Sequence, residues 1–206
     1  MAVEVRRASG HTQRKGDAKR QAILRGAKAV FLKRGFGGAS MDAVAAQAGV
    51  SKMTLYRYFG GKEDLFAGVI TELCEAIVDP NLGQVLAQAP KDALGAFAEK
   101  MIAIVFARET LELHRIVIAE SRRFPKLGRL FYANGPASCV AALASYFERH
   151  RHDPRLKIRE PRRSAEEFLE LLRGYAHLRI LLGLERGPSV QDIRARIEAA
   201  LGHVLR

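Results

Sequence analysis

Apolar residues recur every three or four positions along almost the whole chain, and no run alternates convincingly with period two. That pattern predicts an all-α protein. From about Asp17 to Arg34, Ile23, Leu24, Ala27, Val30 and Phe31 fall on one stripe, with Lys28, Lys33 and Arg34 outside it. Gly35 is suited to end this helix because it tolerates positive φ. Ser40 is placed to cap a second helix over 41–48, with Val44, Ala45 and Ala48 inward, and Gly49 stops it a turn later. Ser51 caps a third over about 52–58. Gly60-Gly61 permits a break before a fourth, which starts near Lys62 and turns Leu65, Phe66, Val69, Ile70, Leu73 and Ile77 inward.

Pro80 and Pro90 bound the connection to a second part, whose helical pattern predicts elements over about 91–107, 110–122, 126–133, 137–150, 164–185 and 189–205. Ser164-Ala-Glu-Glu167 and Ser189-Val-Gln-Asp192 both have capping-box spacing. Residues 151–163 hold Pro154 and Pro161 among six Lys or Arg and two acids, which reads as a solvated loop. The 137–150 segment is rich in Ala and Ser, allowing close helix approach. The 164–185 segment places Phe168, Leu172 and Tyr175 on one side and carries Leu171, Leu178, Leu181 and Leu182 round it. A surface helix needs one apolar stripe, so this helix is expected to pack on its own domain and on a partner subunit.

Charge changes the picture of the first part. The net charge is +12, and residues 1–62 carry 13 Lys or Arg against 3 acids, whereas residues 63–206 carry 21 against 19. A basic helical module is thus joined to a nearly neutral one. The excess suits a polyanion partner, and equally a solvated basic surface. No 18-residue apolar run occurs and the first residues lack a secretory core, so no membrane partner and a cytoplasmic location are expected. Cys74 and Cys139 lie 65 residues apart without a CxxC or a histidine pair, which favours reduced, buried thiols over a disulfide framework or a metal site. No nucleophile elbow, HExxH, Walker loop or dinucleotide fingerprint is present. Neither an enzyme nor a cofactor is expected.

The most informative run is Met41–Phe59, where Ala45, Gly49 and Leu55 supply the small contact residue, the turn glycine and the inward aliphatic that two steeply crossing short helices need. Gly35-Phe36, Ser40-Met41, Ala48-Gly49-Val50-Ser51-Lys52, Thr54-Leu55-Tyr56-Arg57-Tyr58-Phe59 and Lys62-Glu63-Asp64-Leu65-Phe66 together resemble the DNA-binding domain of the TetR (tetracycline repressor) family. Glu120-Ser-Arg-Arg-Phe-Pro-Lys-Leu-Gly-Arg-Leu-Phe131 is similar to its AefR-like branch. The resemblance implies a helix-turn-helix domain over 17–62 after a flexible basic arm (1–16), and a helical ligand-sensing and dimerisation domain over 63–206. It implies a homodimer, formed through helices near 137–150 and 164–185, on a palindromic double-stranded DNA operator. It further implies a repressor released by a small-molecule effector; an activator or a non-sensing architectural protein is the alternative.

Residue types suggest individual roles. Lys52 and Arg57 suit base edges or phosphates, Met53 a thymine methyl, Thr54 and Tyr56 phosphate contacts, and Tyr58 a further DNA contact; Lys62 with its helix N-terminus suits a backbone phosphate, and Ser40 matches a phosphate contact of the family. Each has a plainer reading, with Ser40 and Ser51 as caps, Tyr58 as packing and Met53 as filler. In the second part, Phe97, Met101, Phe106, His114, Ile118, Phe168 and Tyr175 are predicted to face inward, as an apolar effector pocket or as ordinary core. A hydrophobic or aromatic effector fits such a set.

Overall fold

A computed structural model describes the backbone of residues 2–77 and 89–206, and side chains from residue 16 onward within those spans. The basic side chains of the arm and the connection around Pro80 lie outside the described residues. The helices are α1 (Ala2–Gly38), α2 (Met41–Ala48), α3 (Lys52–Tyr58), α4 (Lys62–Ile77), α5 (Pro90–Val105), α6 (Arg108–Glu120), α7 (Pro125–Asn134), α8 (Pro136–Arg149), α9 (Pro161–Leu181) and α10 (Val190–Val204). Among the described residues the only β pairing is a single antiparallel bridge between Leu156 and Leu205.

Local chemistry sets the ends of the first helices. α1 carries helical backbone back past Asp17, where the apolar stripe begins, and is broken at Gly35, whose φ of 69° and ψ of 177° lie in a region open essentially to glycine alone. Ser40 Oγ accepts the Ala43 amide at 3.2 Å and Ser51 Oγ that of Thr54 at 3.1 Å, so both serines cap their helices. Gly49 takes the left-handed conformation between them. Gly26 supplies a contact that periodicity does not reveal. A β-carbon there would lie 2.9 Å from Ala48 Cβ and 3.0 Å from its backbone nitrogen, so glycine lets α1 and α2 cross closely.

Two apolar cores result. The first gathers Ile23, Leu24, Phe31, Phe36, Leu55 and Phe66, with Phe31, Phe36 and Phe66 at ring distances of 5.4–5.8 Å. It also takes in Leu113 and Val117 of α6 and Leu127 of α7. The second core contains Phe97, Phe147, Phe168, Leu172 and Ala200. α4 belongs to both, through Leu65, Phe66, Val69 and Ile70 at one end and Cys74 and Ile77 at the other.

Three expectations for the second part are corrected. α9 begins at Pro161, with the ring at its first position, so Ser164 is a buried residue inside the helix rather than its cap. Ser189 and Asp192, by contrast, form the complete capping box. The 151–163 loop is not wholly solvated: Leu156 is buried, and the Lys157 amide donates to the Val204 carbonyl at 2.8 Å. Finally, the buried line of α9 steps by four through Ser164, Phe168, Leu172, Ala176 and Ile180. It drifts around the helix, whose backbone is broken at Gly174, and leaves Tyr175 outside.

Candidate DNA interface and apolar cavity

α2 and α3 pack through Val44, Ala45 and Leu55, all buried, which turns the other side of α3 outward. Met53 is 84% exposed at its centre, flanked by exposed Lys52, Tyr56 and Arg57. Lys52 is paired with Asp42 of α2 at 2.8 Å, a hydrogen bond and charge that raise its pKa. Both partners are solvent-exposed, so the pair is weak and exchangeable. Thr54 is half-buried, with its hydroxyl 2.9 Å from Ser51 Oγ. Tyr58 is half-buried against the first core, and Arg57 lies over its ring at 5.6 Å. Ser40, Lys52, Met53, Tyr56 and Arg57 thus share the exposed side of the two short helices, with Thr54 and Tyr58 partly withdrawn from it.

Lys62 is placed differently. Its ammonium donates to the carbonyls of Gly37 and Ala39 at 3.4 and 3.1 Å and sits 4.6 Å above the Phe36 ring. These contacts make it a brace for the end of α1. Opposite it, Glu120 at the end of α6 accepts the Phe36 amide at 2.7 Å and the Gly37 amide at 2.5 Å. Phe124 meets Phe36 edge-on at 5.3 Å. A kinked glycine, two aimed amides and a carboxylate form an anion nest closed from within the protein. On the outer side Lys28 of α1 pairs with Glu109 of α6 at 2.6 Å. Glu120 stands in the segment that carries the AefR-like resemblance, but nothing in its spacing assigns it this contact.

A cavity of about 440 Å³ lies between α4, α5, α6, α7, α8 and α9. Ile70, Leu73, Ile77, Met101, Leu113 and Val140 make it mainly apolar, with His114 and Tyr132 on its wall. Glu166, Glu170 and Arg173 add charge, and Arg173 pairs with Glu170. Of the seven residues expected to face inward, Met101 and His114 line this space. Phe97 and Phe168 are sealed in the second core, and half-buried Phe106 packs edge-on to His177. Ile118 is 64% and Tyr175 79% exposed. Ile118 follows buried Val117 and is rotated about 100° from it, which faces it outward. Tyr132, Glu166, Glu170, Arg173 and the two cysteines, which also line the cavity, were not in the expected set, because periodicity separates inside from outside but not core from cavity.

His114 Nδ1 and His177 Nε2 are 3.0 Å apart, and one proton between them satisfies both facing nitrogens. Burial, then His177, then Arg173 lower the His114 pKa to about 3. His177 is also lowered, by burial first and then by Arg173. The folded protein holds His114 neutral down to about pH 3, while the unfolded chain protonates it below pH 6.5. The contribution of His114 is therefore intact above pH 6.5 and is lost as the pH falls toward 3. Urea denaturation is expected to show about 2 kcal/mol lost through His114 between about pH 7.5 and about pH 5, and His114→Gln should flatten that decline. An equally steep decline in the variant would contradict this.

Outside the cores, α9 presents Leu171, Tyr175 and Leu178, with Leu182 exposed at its C-cap, and α8 presents Ala141 and Ser145. No helix among the described residues is long and apolar enough to cross a membrane.

Residues 23–69 match the profile of bacterial regulatory proteins of the tetR family, and residues 92–206 match that of the AefR-like transcriptional repressor C-terminal domain. The HTH-type transcriptional regulator RutR of Escherichia coli strain K12 is 30% identical over 125 residues, 61% of this chain and 51% of RutR. The chain thus aligns with about half the length of that curated relative. A TetR-family transcriptional regulator from Mesorhizobium loti superposes with a TM-score of 0.75 at 28% identity, covering 92% of this chain and 98% of that one. The flavonoid-responsive regulator FrrA superposes with a TM-score of 0.67 at 37% identity over the same shares.

Proposed function

Because the chain belongs to the TetR family of bacterial regulatory proteins, with a C-terminal domain of the AefR-like type, we propose that it represses transcription as a homodimer on a palindromic operator and is released by a hydrophobic, aromatic effector. The observation that carries this reading is the exposed face of α3, where a thioether, a phenol and two cations stand on a helix braced by the one before it. On this reading Met53 meets a thymine methyl, while Lys52 exchanges Asp42 for a phosphate or a base edge. Tyr56, Thr54 and Ser40 set the register on the backbone, and Arg57 and Tyr58 flank them. Lys62 holds the end of α1 with two of its three donors and offers the third to a backbone phosphate.

The effector reading rests on the apolar cavity and on likeness to a regulator that responds to flavonoids. Its route to the DNA is supported by α6, which places Leu113 and His114 on the cavity wall and Glu120 on the end of α1. A molecule that displaces α6 necessarily acts on the nest at Phe36 and Gly37.

Fluorescence anisotropy against the DNA flanking the gene and against random duplex, across a salt series, tests the reading. A preference of about 10³-fold or more is expected. Lys52→Ala should weaken binding to both and reduce the salt slope by about 1, and Tyr56→Phe should weaken operator binding. Equal, weak binding to both duplexes, followed by a random-sequence selection that enriches nothing, would overturn it. In the same assay a flavonoid panel should release the operator; an intact complex throughout would remove that ligand class.

A further inference from the structure

Cys74 of α4 and Cys139 of α8 are 65 residues apart in sequence, yet their sulfurs lie 3.1 Å apart. Both stand on the wall of the cavity, both are free thiols, and they are 6% and 7% exposed. Cys74 Sγ also lies 3.6 Å from the Gly135 carbonyl, so the two thiols can donate in series, Cys139 to Cys74 and Cys74 to Gly135. Most buried thiols are separate, inert packing groups. This pair instead meets at the inner surface of the site proposed for the effector.

We propose that Cys74 and Cys139 form a dithiol site for a hydroperoxide, which converts them to a disulfide and gives the regulator a second, oxidative input through the same cavity. The inference rests on the regulatory reading only for its effect on DNA, not for its chemistry. Cys74 is the attacking group. The Cys139 thiol, donating to its sulfur, lowers the Cys74 pKa against burial and Glu75, which oppose it, whereas the shared hydrogen bond and burial raise that of Cys139. The Cys74 thiolate attacks a peroxide oxygen; a sulfur–oxygen bond forms, the oxygen–oxygen bond breaks, and the alcohol leaves after taking a proton. Cys74 is then a sulfenic acid. The Cys139 sulfur attacks it, forming the disulfide and breaking the sulfur–oxygen bond, and water departs with the thiol proton. The two electrons lost by the sulfurs are those that reduce the peroxide. An apolar cavity admits an organic hydroperoxide, and the remaining closure from 3.1 Å to about 2.05 Å is of order 1 Å.

The bond would tie α4, whose first half lies in the core of the DNA-reading helices, to α8 of the second core. Oxidation is therefore expected to alter operator affinity by about tenfold or more. Full-length protein is treated with cumene hydroperoxide and followed by intact mass, peptide mapping and operator anisotropy. The expected result is a loss of two hydrogens, a linked peptide pair containing Cys74 and Cys139, and a dithiothreitol-reversible change in affinity. Cys139→Ser should leave a dimedone-reactive Cys74, and Cys74→Ser should leave Cys139 unmodified, with operator binding by both variants unresponsive to peroxide. Two free thiols after treatment, or linkage only between subunits, would overturn the site. A correct disulfide with unchanged affinity would overturn the regulatory input. Failure of the reduced protein to prefer any operator would instead refute the functional reading while leaving the mass result to judge the chemistry.

Discussion

Gly35→Ala is expected to destabilise the protein by about 3 kcal/mol or more and to impair operator binding at temperatures where the unchanged protein is folded. Two costs combine. The observed backbone, φ 69° and ψ 177°, is a conformation that an L side chain adopts only under strain. An added β-carbon would also lie 2.5 Å from Glu120 Oε1, so the carboxylate must withdraw from the Phe36 and Gly37 amides it serves. For a chain of this size each kcal/mol moves the melting temperature by about 2–4 °C, which predicts a fall of roughly 6–12 °C or more by calorimetry. Gly38→Ala is the control, since a β-carbon there meets Arg34 Cβ at an ordinary 3.5 Å. The double change with Glu120→Ala should cost less than the sum of the single changes, because the clash is then absent. A melting temperature within 2 °C of the parent would refute this account of the nest.

The second large effect is expected on the apolar face of α9. Leu178 and Leu182 are 50% and 65% exposed in the single chain, so glutamate at both leaves its cores untouched. If this face joins two subunits, Leu178→Glu with Leu182→Glu converts the dimer to a monomer by sedimentation, with an unchanged helical spectrum. Operator affinity should then fall by about 10²–10³-fold, because two half-sites are no longer engaged by one linked pair. A dimer that persists with unchanged affinity would move the interface elsewhere.

Much of the DNA-reading half was legible in the sequence because its constraints are local. Ser40 and Ser51 accept amides three residues on, and Gly49 gives its own amide to carbonyls of the turn before it, so both ends of α2 and the start of α3 fall where those residues place them. Contacts set by tertiary approach left little local trace. Gly26 looks like a helix-weakening residue until Ala48 is brought against it, and Glu120 like a surface acid until Phe36 and Gly37 turn their amides toward it. The cavity was the least legible feature. Met101 and Phe97 share a helix and an apolar pattern, but only the first borders open space. Tyr175 misled because an apolar residue seven places after Phe168 reads as the same face, whereas the buried line advances by four.

The sharing of α4 between the cores bears on how such a protein can be recombined. A cut at 62/63, where basic composition gives way to neutral, would strip Leu65, Phe66 and Val69 from the fold that needs them and leave Leu113, Val117 and Leu127 without their seat. A working chimaera that borrows this reading head must carry α4 with it and match the donor's α6 and α7 to α1. The modular unit for exchange is thus a discontinuous set of segments rather than an N-terminal stretch.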